Sequence, residues 1–390
     1  MNSSSNNNNK RVKFCEDVKV ELGDERTYPV VFSSIASIGQ CLEEIGLKRG
    51  NCVLVSNSVV GKTVHKTTAL DALKSAGWTV TYVEFIDGEL HKTPETYLDV
   101  VSKLLEAKVD RKTLVIGLGG GVTTDIVGFA CATVLRGLTF INIPTTLLAM
   151  VDASVGGKTG VNTPQGKNLL GCFWQPKLVL VSPSETLRTL NDFEFNCGMG
   201  EVVKHAVLDE DGSFFKWLEE NADGIAKRDH SDKHYQLVSH AVHKCVEIKA
   251  KIVGEDERED GKRALLNLGH TVGHAIEHVK GFGMIAHGES VAIGTVAEAR
   301  LAEVRGECEE PGLAKRIAKL LQRLNLPFSL SDLNVDLLVD AVFMDKKREG
   351  TKITLTIPKR IGKVDLIKVD VGELRMAFEL LDKNKSLVDE

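Results

Sequence analysis

Three short apolar runs in the first third of the chain limit the folds open to it. Residues 51–56, 78–85 and 113–117 are too short for helices and rich in β-branched or aromatic side chains, which predicts strands. Between them, residues 63–77 and 94–107 carry helical periodicity. Gly77 closes the first helix, and Pro94 opens the second, where a missing N–H is harmless. Strand, helix, strand, helix at this spacing predicts βαβ units and a parallel sheet. Such sheets bind nucleotides at the carboxyl ends of their strands.

Candidates lie at those ends. Gly117-Leu-Gly119-Gly120-Gly121-Val122-Thr-Thr-Asp125 follows the third strand and opens an apolar helix to Arg136. Glycines there let the backbone approach a pyrophosphate, and a helix N-terminus favours its charge. The run is not GxGxxG, and a tight turn that merely needs glycine is the alternative. Asp87-Gly-Glu89-Leu-His-Lys92 lies where the second strand ends, so Glu89 and Lys92 either bracket a nucleotide or form a surface turn. Residues 143–168 then set Asp152, Lys158, Lys167 and Asn168 on Gly-rich loops between apolar runs. That predicts a site for an anionic, polyhydroxylated ligand, against a purely structural loop.

After the apolar run 178–181 the texture changes. Residues 191–302 are mostly helix-patterned, which places a domain boundary near 185–190. Glu201 and Lys204 stand at i, i+3 among apolar neighbours. A buried Glu needs a cation or a metal, and a surface ion pair is the alternative. Lys249 lies on another helix, and residues 254–262 are charged enough to predict an exposed turn. Next comes Arg263-Ala-Leu-Leu-Asn267-Leu-Gly-His270-Thr-Val-Gly-His274-Ala-Ile-Glu-His278, followed by His287-Gly-Glu289. Histidines at i, i+4 and i+8 share one helix face, with Asn267 and Arg263 in the same turns. That pattern predicts a metal site rather than a solvated His-rich helix. A helix through Arg305, a β-rich run at 352–358 and a closing helix at 371–382 complete the chain.

Composition excludes some classes. A net charge of -5 and a pI near 6.2 argue against a nucleic-acid partner. No apolar run approaches ~18 residues, so no membrane span is expected. Residues 1–9 are polar and low in complexity, which predicts a disordered tail without a secretory signal. The cysteines at 15, 41, 52, 131, 172, 197, 245 and 308 form no CxxC pair and read as buried thiols of a reducing compartment. A cytoplasmic protein is expected, or a plastid one if a transit peptide has been trimmed.

Four dispersed motifs occur in order between about residues 50 and 360: GGGVxxD, PTTLLAMVDASVGGKTGVN with GKN, GEVVKHA, and LNLGHTVGHAIE followed by HGE. Together they resemble the 3-dehydroquinate synthase family of the sugar-phosphate cyclase superfamily. The resemblance implies a tail over 1–12, a Rossmann-like NAD-binding α/β domain over 13–188, and an all-α zinc- and substrate-binding domain over 189–390, usually in a homodimer. It implies a carbon–oxygen lyase that converts 3-deoxy-D-arabino-heptulosonate 7-phosphate to 3-dehydroquinate and phosphate. The steps are transient oxidation by NAD, elimination, reduction and intramolecular aldol closure.

By similarity the zinc ligands are Glu201, His270 and His287, with Co2+ an alternative metal. That replaces the helical pairing of His270 with His274, gives His274 to the substrate phosphate and leaves His278 to the fold. Lys158, Asn168, Arg263, His274 and Lys346 are implied at the phosphate end, with Arg136 arriving from the partner subunit. Lys204, Lys249, Arg263 and Asn267 are implied around the carboxylate and hydroxyls, and Asp152 holds a hydroxyl. Glu89, Lys92, Gly120, Gly121, Val122, Asp125, Thr145, Thr146, Asp152, Lys158, Lys167 and Thr189 are implied to line the NAD site. Thr124 and Asn57 depart from the family pattern near the dinucleotide, and Asn191 and Lys262 elsewhere. Rival readings are the sister cyclases that make 2-deoxy-scyllo-inosose, 2-epi-5-epi-valiolone or desmethyl-4-deoxygadusol, the metal-dependent glycerol and alcohol dehydrogenases, and a non-enzymatic binding protein.

Overall fold

A computed structural model describes residues 13–23, 25–281, 283–331, 333–344, 348–349 and 352–388; the predicted tail over 1–12 lies outside them. The chain opens with β1 (Val18–Val20) and β2 (Tyr28–Phe32), then α1 (Ile38–Glu44). The predicted alternation follows: β3 (Asn51–Asn57), α2 (Val64–Ser75), β4 (Thr79–Phe85), α3 (Pro94–Glu106), β5 (Leu114–Gly119) and α4 (Gly121–Thr133). Next come β6 (Phe140–Pro144), a hairpin of β7 (Lys158–Thr163) and β8 (Gly166–Phe173), β9 (Val179–Val181) and the short α5 (Pro183–Thr186).

Seven strands form one sheet in the order β1-β2-β9-β6-β5-β3-β4. All pairs are parallel except β1 with β2. Both faces are covered, so β5 is buried at every residue. One face packs on α1 and α2 through Leu42, Leu54, Leu73 and Ile116; the other packs on α3 and α4 through Val53, Leu104, Val115 and Ile126. Strands β1 and β2 had no counterpart in the sequence reading, being short and separated by a polar turn. The Gly-rich stretch at 158–173 is a hairpin rather than loops; Gly160 faces Gly171 across it, where a side chain on either would strike the other strand.

The second half is helical: α6 (Asp192–Leu208), α7 (Ser213–Ala226), α8 (Asp232–Glu255), α9 (His270–Lys280), α10 (His287–Val304), α11 (Leu313–Arg323) and α12 (Val335–Met344). A three-stranded antiparallel sheet of β10 (Arg348–Glu349), β11 (Lys352–Arg360) and β12 (Lys363–Val369) follows, then α13 (Val371–Lys383). The run at 352–358 announces that sheet. The largest core joins β1, β2 and β9 to α6, α7 and α8, so the two halves share one apolar interior. Among the described residues no helix is long and apolar enough to cross a membrane.

Residues 263–278 are not one helix. Lys262–Asn267 is a 3-10 turn, Gly269 turns left-handed at φ 77, and α9 starts at His270. Helices α6 and α10 touch backbone to backbone: a Cβ on Gly200 would lie 1.9 Å from the Gly288 carbonyl oxygen, and one on Gly288 1.7 Å from that of Cys197. This contact sets Glu201 beside His287. We expect Gly288→Ala to destabilise the protein by roughly 1–3 kcal/mol through overpacking. Urea unfolding measures this, and an unchanged midpoint would refute the close contact.

Candidate metal and substrate site

The loop after β6 contains a single π-helical turn, Ala149–Ala153, which carries Asp152. Such turns recur at functional sites. Asp152 receives two buried ammonium groups: Lys204 of α6 at 3.2 Å, and Lys249 of α8, which pairs with its carboxylate and also donates to its carbonyl at 2.6 Å. Lys204 bonds back to Glu201 Oε2 at 2.5 Å. Two carboxylates and two ammonium groups thus balance in the interior, as buried charges must. Burial works against ionising Asp152, but the two lysines outweigh it and hold the carboxyl well below its usual range. Burial lowers Lys249 to about 8 despite the attraction of Asp152.

Glu201 is fully buried; Lys204 pairs with its Oε2, which leaves Oε1 to other neighbours. That oxygen lies 3.3 Å from His287 Nε2 and 3.6 Å from His270 Nε2. Two donors bound tetrahedrally to one zinc at about 2.1 Å stand about 3.4 Å apart. The other ring nitrogens are engaged: His270 Nδ1 donates to Leu268 O at 3.1 Å, and His287 Nδ1 donates to Glu277 Oε1 at 3.3 Å. Both rings therefore present Nε2 to the Glu201 oxygen, an arrangement that fits a metal. The rings of His270, His274 and His287 also offer nitrogens within 4.8 Å of one another, so proximity alone equally groups three histidines. Glu201 belongs with the histidines because its buried Oε1 stands from His270 Nε2 and His287 Nε2 at the spacing of donors that share one metal. His278 is exposed. At 100° per residue, position 277 returns to within about 20° of His270, while 278 lies about 80° off. The stripe is His270, His274 and Glu277, a signal the sequence carried and the histidine pattern obscured.

The cation cluster differs from expectation at one point. Residues 254–262 form an ordered turn, held by Asp256, which accepts from the N–H groups of Asp260, Gly261 and Arg263. It carries Glu259, at a left-handed φ of 64, into the site. Glu259 bonds Lys158 at 2.5 Å and accepts from Asn267 at 2.8 Å. An internal carboxylate thus occupies two residues expected to meet an anion. Arg263 is 1% exposed and donates to the carbonyls of Gly156, at 2.9 Å, and Glu257. Lys346 lies outside the described residues.

On the sheet side, Gly120 caps α4 and Gly121 and Val122 begin it, at the carboxyl end of β5. A Cβ on Gly120 would lie 2.9 Å from the Thr146 side chain, and Thr145 N donates to Gly119 O. This bare turn at the start of a 13-residue helix fits a dinucleotide phosphate. Lys92 is buried between Asp125 at 2.5 Å and Asn168 at 2.6 Å, and Glu89 accepts from Asn162 at 2.7 Å. Thr189 bonds His65 of α2 at 2.9 Å. Asn57 accepts from the N–H groups of Val59 and Val60 and donates to Thr123, which an aspartate could not do; Thr124 bonds Gly121 O. Lys167 of β8 crosses to Glu277 of α9 at 3.1 Å. Arg136 is exposed, beyond the far end of α4. A helix of that length separates it from the glycine turn by about 20 Å.

Two outcomes follow. Burial takes His270 well below 6.5; it opposes charging His287 too, but the carboxylates of Glu201 and Glu277 beside that ring carry it up to about 9. In chelator-stripped protein the raised His287 contributes stability below about 6.5 that is lost as pH rises through about 9. The lowered His270 contributes above 6.5 and is lost on acidification. Zinc binding at pH 7.5 should therefore release close to one proton from His287. Calorimetry in buffers of different ionisation enthalpy would show this, and no release would be contrary. Separately, Glu259→Gln should tighten inorganic phosphate binding by about three- to tenfold, or ~1 kcal/mol; weaker binding would contradict the occupancy of Lys158 and Asn267.

Comparison with known proteins gives a consistent result. A family model described as 3-dehydroquinate synthase N-terminal matches residues 82–197, and one described as 3-dehydroquinate synthase C-terminal matches 198–348. A 3-dehydroquinate synthase from Geobacter sp. (strain M21) is 42% identical over 363 residues, covering 92% of this chain and 97% of the relative. Among solved structures, a 2-deoxy-scyllo-inosose synthase complexed with carbaglucose-6-phosphate, NAD+ and Co2+ has a TM-score of 0.79 at 22% identity, covering 94% of this chain and 100% of the other. A 2-epi-5-epi-valiolone synthase from Streptomyces hygroscopicus subsp. jinggangensis 5008, with NAD+ and Zn2+ bound, has a TM-score of 0.79 at 25% identity, covering 93% and 99%.

Proposed function

The chain belongs to the 3-dehydroquinate synthase family, and we propose that it converts 3-deoxy-D-arabino-heptulosonate 7-phosphate to 3-dehydroquinate with release of phosphate. The observation that carries this reading is Glu201 Oε1, flanked by two histidine Nε2 atoms and adjoining the Asp152–Lys204–Lys249 cluster. The candidate metal-binding set adjoins a set of cations through Lys204, which contacts both Glu201 and Asp152, and this suits a substrate with both a carboxylate and a phosphate.

In this reading Glu201, His270 and His287 hold zinc, or Co2+ in its place. Glu89, Lys92, Gly120, Gly121, Val122, Asp125, Thr145, Thr146, Lys167 and Thr189 hold NAD. Bound, the metal would polarise a substrate hydroxyl, and the dinucleotide would take up a hydride and return it within one cycle. The chain's own work is orientation and charge stabilisation. Asp152, aimed by two ammonium groups, accepts from a substrate hydroxyl. Lys204, Lys249 and Asn267 face the carboxylate and hydroxyls, while Arg263 keeps the Gly156 loop in place. Lys158, Asn168, His274 and Lys346 face the phosphate, with Lys158 and Asn267 released from Glu259 as substrate arrives. Arg136 serves the site of a second copy, for which its exposure at the end of α4 is the support. The protein acts as a cytoplasmic homodimer.

The test is a substrate panel with zinc-loaded protein. Phosphate release from the heptulosonate phosphate, with catalytic NAD and no net NADH, is expected. Release from sedoheptulose 7-phosphate or glucose 6-phosphate instead would transfer the chain to a sister activity, and stoichiometric NADH would make it a dehydrogenase.

A further inference from the structure

The two halves of the site meet at a side chain the motifs left unassigned. Glu277 lies on α9 two turns beyond His270 and is 3% exposed. Its Oε1 accepts from His287 Nδ1 at 3.3 Å on one side and from Lys167 Nζ at 3.1 Å on the other. His287 Nε2 faces Glu201 Oε1 at 3.3 Å. Lys167 belongs to β8, next to Asn168, which bonds the buried Lys92 at 2.6 Å.

The two candidate histidine ligands are held differently. His270 is fixed by a backbone carbonyl, which substitution leaves in place. His287 is the first residue of α10, and its side chain is 26% exposed, so the ring has solvent to rotate into. A charged acceptor on Nδ1 both prevents that rotation and raises the basicity of the opposite nitrogen. The same oxygen also holds the ammonium group of a residue from the sheet half.

We propose that Glu277 is a positioning residue that presents His287 Nε2 to the metal and, through Lys167, couples metal binding to dinucleotide binding. This rests on the metal and NAD reading above. Metal at Nε2 sharpens the Nδ1–H donor, which fixes Glu277 and so holds Lys167 in place before the dinucleotide arrives. Coupling of this kind is reciprocal: whatever factor zinc adds to NAD affinity, NAD adds to zinc affinity.

The experiment measures zinc affinity by competition with a chromophoric chelator, the visible spectrum of the Co2+ form, and NAD+ binding by calorimetry with and without zinc. Wild type should bind NAD+ more tightly with zinc present. Glu277→Gln should weaken zinc by about 10- to 100-fold, alter the Co2+ spectrum and bring the coupling factor near one, with Glu277→Ala losing more. Thermal unfolding of the stripped variants should fall modestly, as His287 and Lys167 lose a charged partner, so zinc affinity and the Co2+ spectrum carry the test. Lys167→Met should keep zinc affinity and lose coupling, and it decides the coupling if the Glu277 variants do not fold. Glu277→Gln with wild-type zinc affinity and spectrum, or Lys167→Met with full coupling, overturns the assignment alone. Wild type that binds no zinc overturns the metal reading, and the assignment with it.

Discussion

The buried exchange among Asp152, Lys204, Glu201 and Lys249 is the interaction on which the rest of this molecule depends. Each of these groups would be costly to bury alone, and removing one partner of such a set leaves an uncompensated interior charge. The set draws together the loop after β6, α6 and α8, so the sheet half and the helical half are joined by charge as well as by their shared apolar core. It also leaves Glu201 Oε1 clear of Lys204, whose contact is with Oε2, and beside two imidazoles. The charge set thus holds one carboxylate oxygen where two ring nitrogens converge on it.

Backbone proximity makes that arrangement accurate. Without side chains at Gly200 and Gly288, α6 and α10 approach closely enough for the chain neighbours of these glycines, Glu201 and His287, to stand on either side of the contact. On the other flank Glu298 of α10, itself fully buried, accepts the N–H of Gly269 at 2.5 Å and fixes the start of α9, where His270 is the first residue. The orientation of Glu201, His270 and His287 therefore rests on helix ends and helix crossings rather than on loops, which suits a pre-organised site.

Much of this was legible in the residues. The parallel sheet followed from the periodicity at 51–117, the glycine turn from its position after a strand, and the burial of Glu201 and Lys204 from their apolar neighbours. The hairpin at 158–173 was not, because its glycines imitate a loop. The role of Glu259 was hidden because a run of charged residues ordinarily faces solvent; here the backbone bonds of Asp256 turn one of them inward. Glu277 was hidden by a neighbour, since the more conspicuous His278 drew the helical pattern one residue too far.

By itself the sequence determined which elements form and which residue types are held for chemistry, because periodicity, turn residues and charge among apolar neighbours are local properties. It could not determine which of those residues meet. Whether His270 faces Glu201 or His274, whether Lys158 faces solvent or Glu259, and whether Lys167 reaches across to Glu277 all depend on crossings between elements up to about a hundred residues apart. Those crossings follow from packing and charge balance summed over the whole interior, so only the tertiary structure decided them.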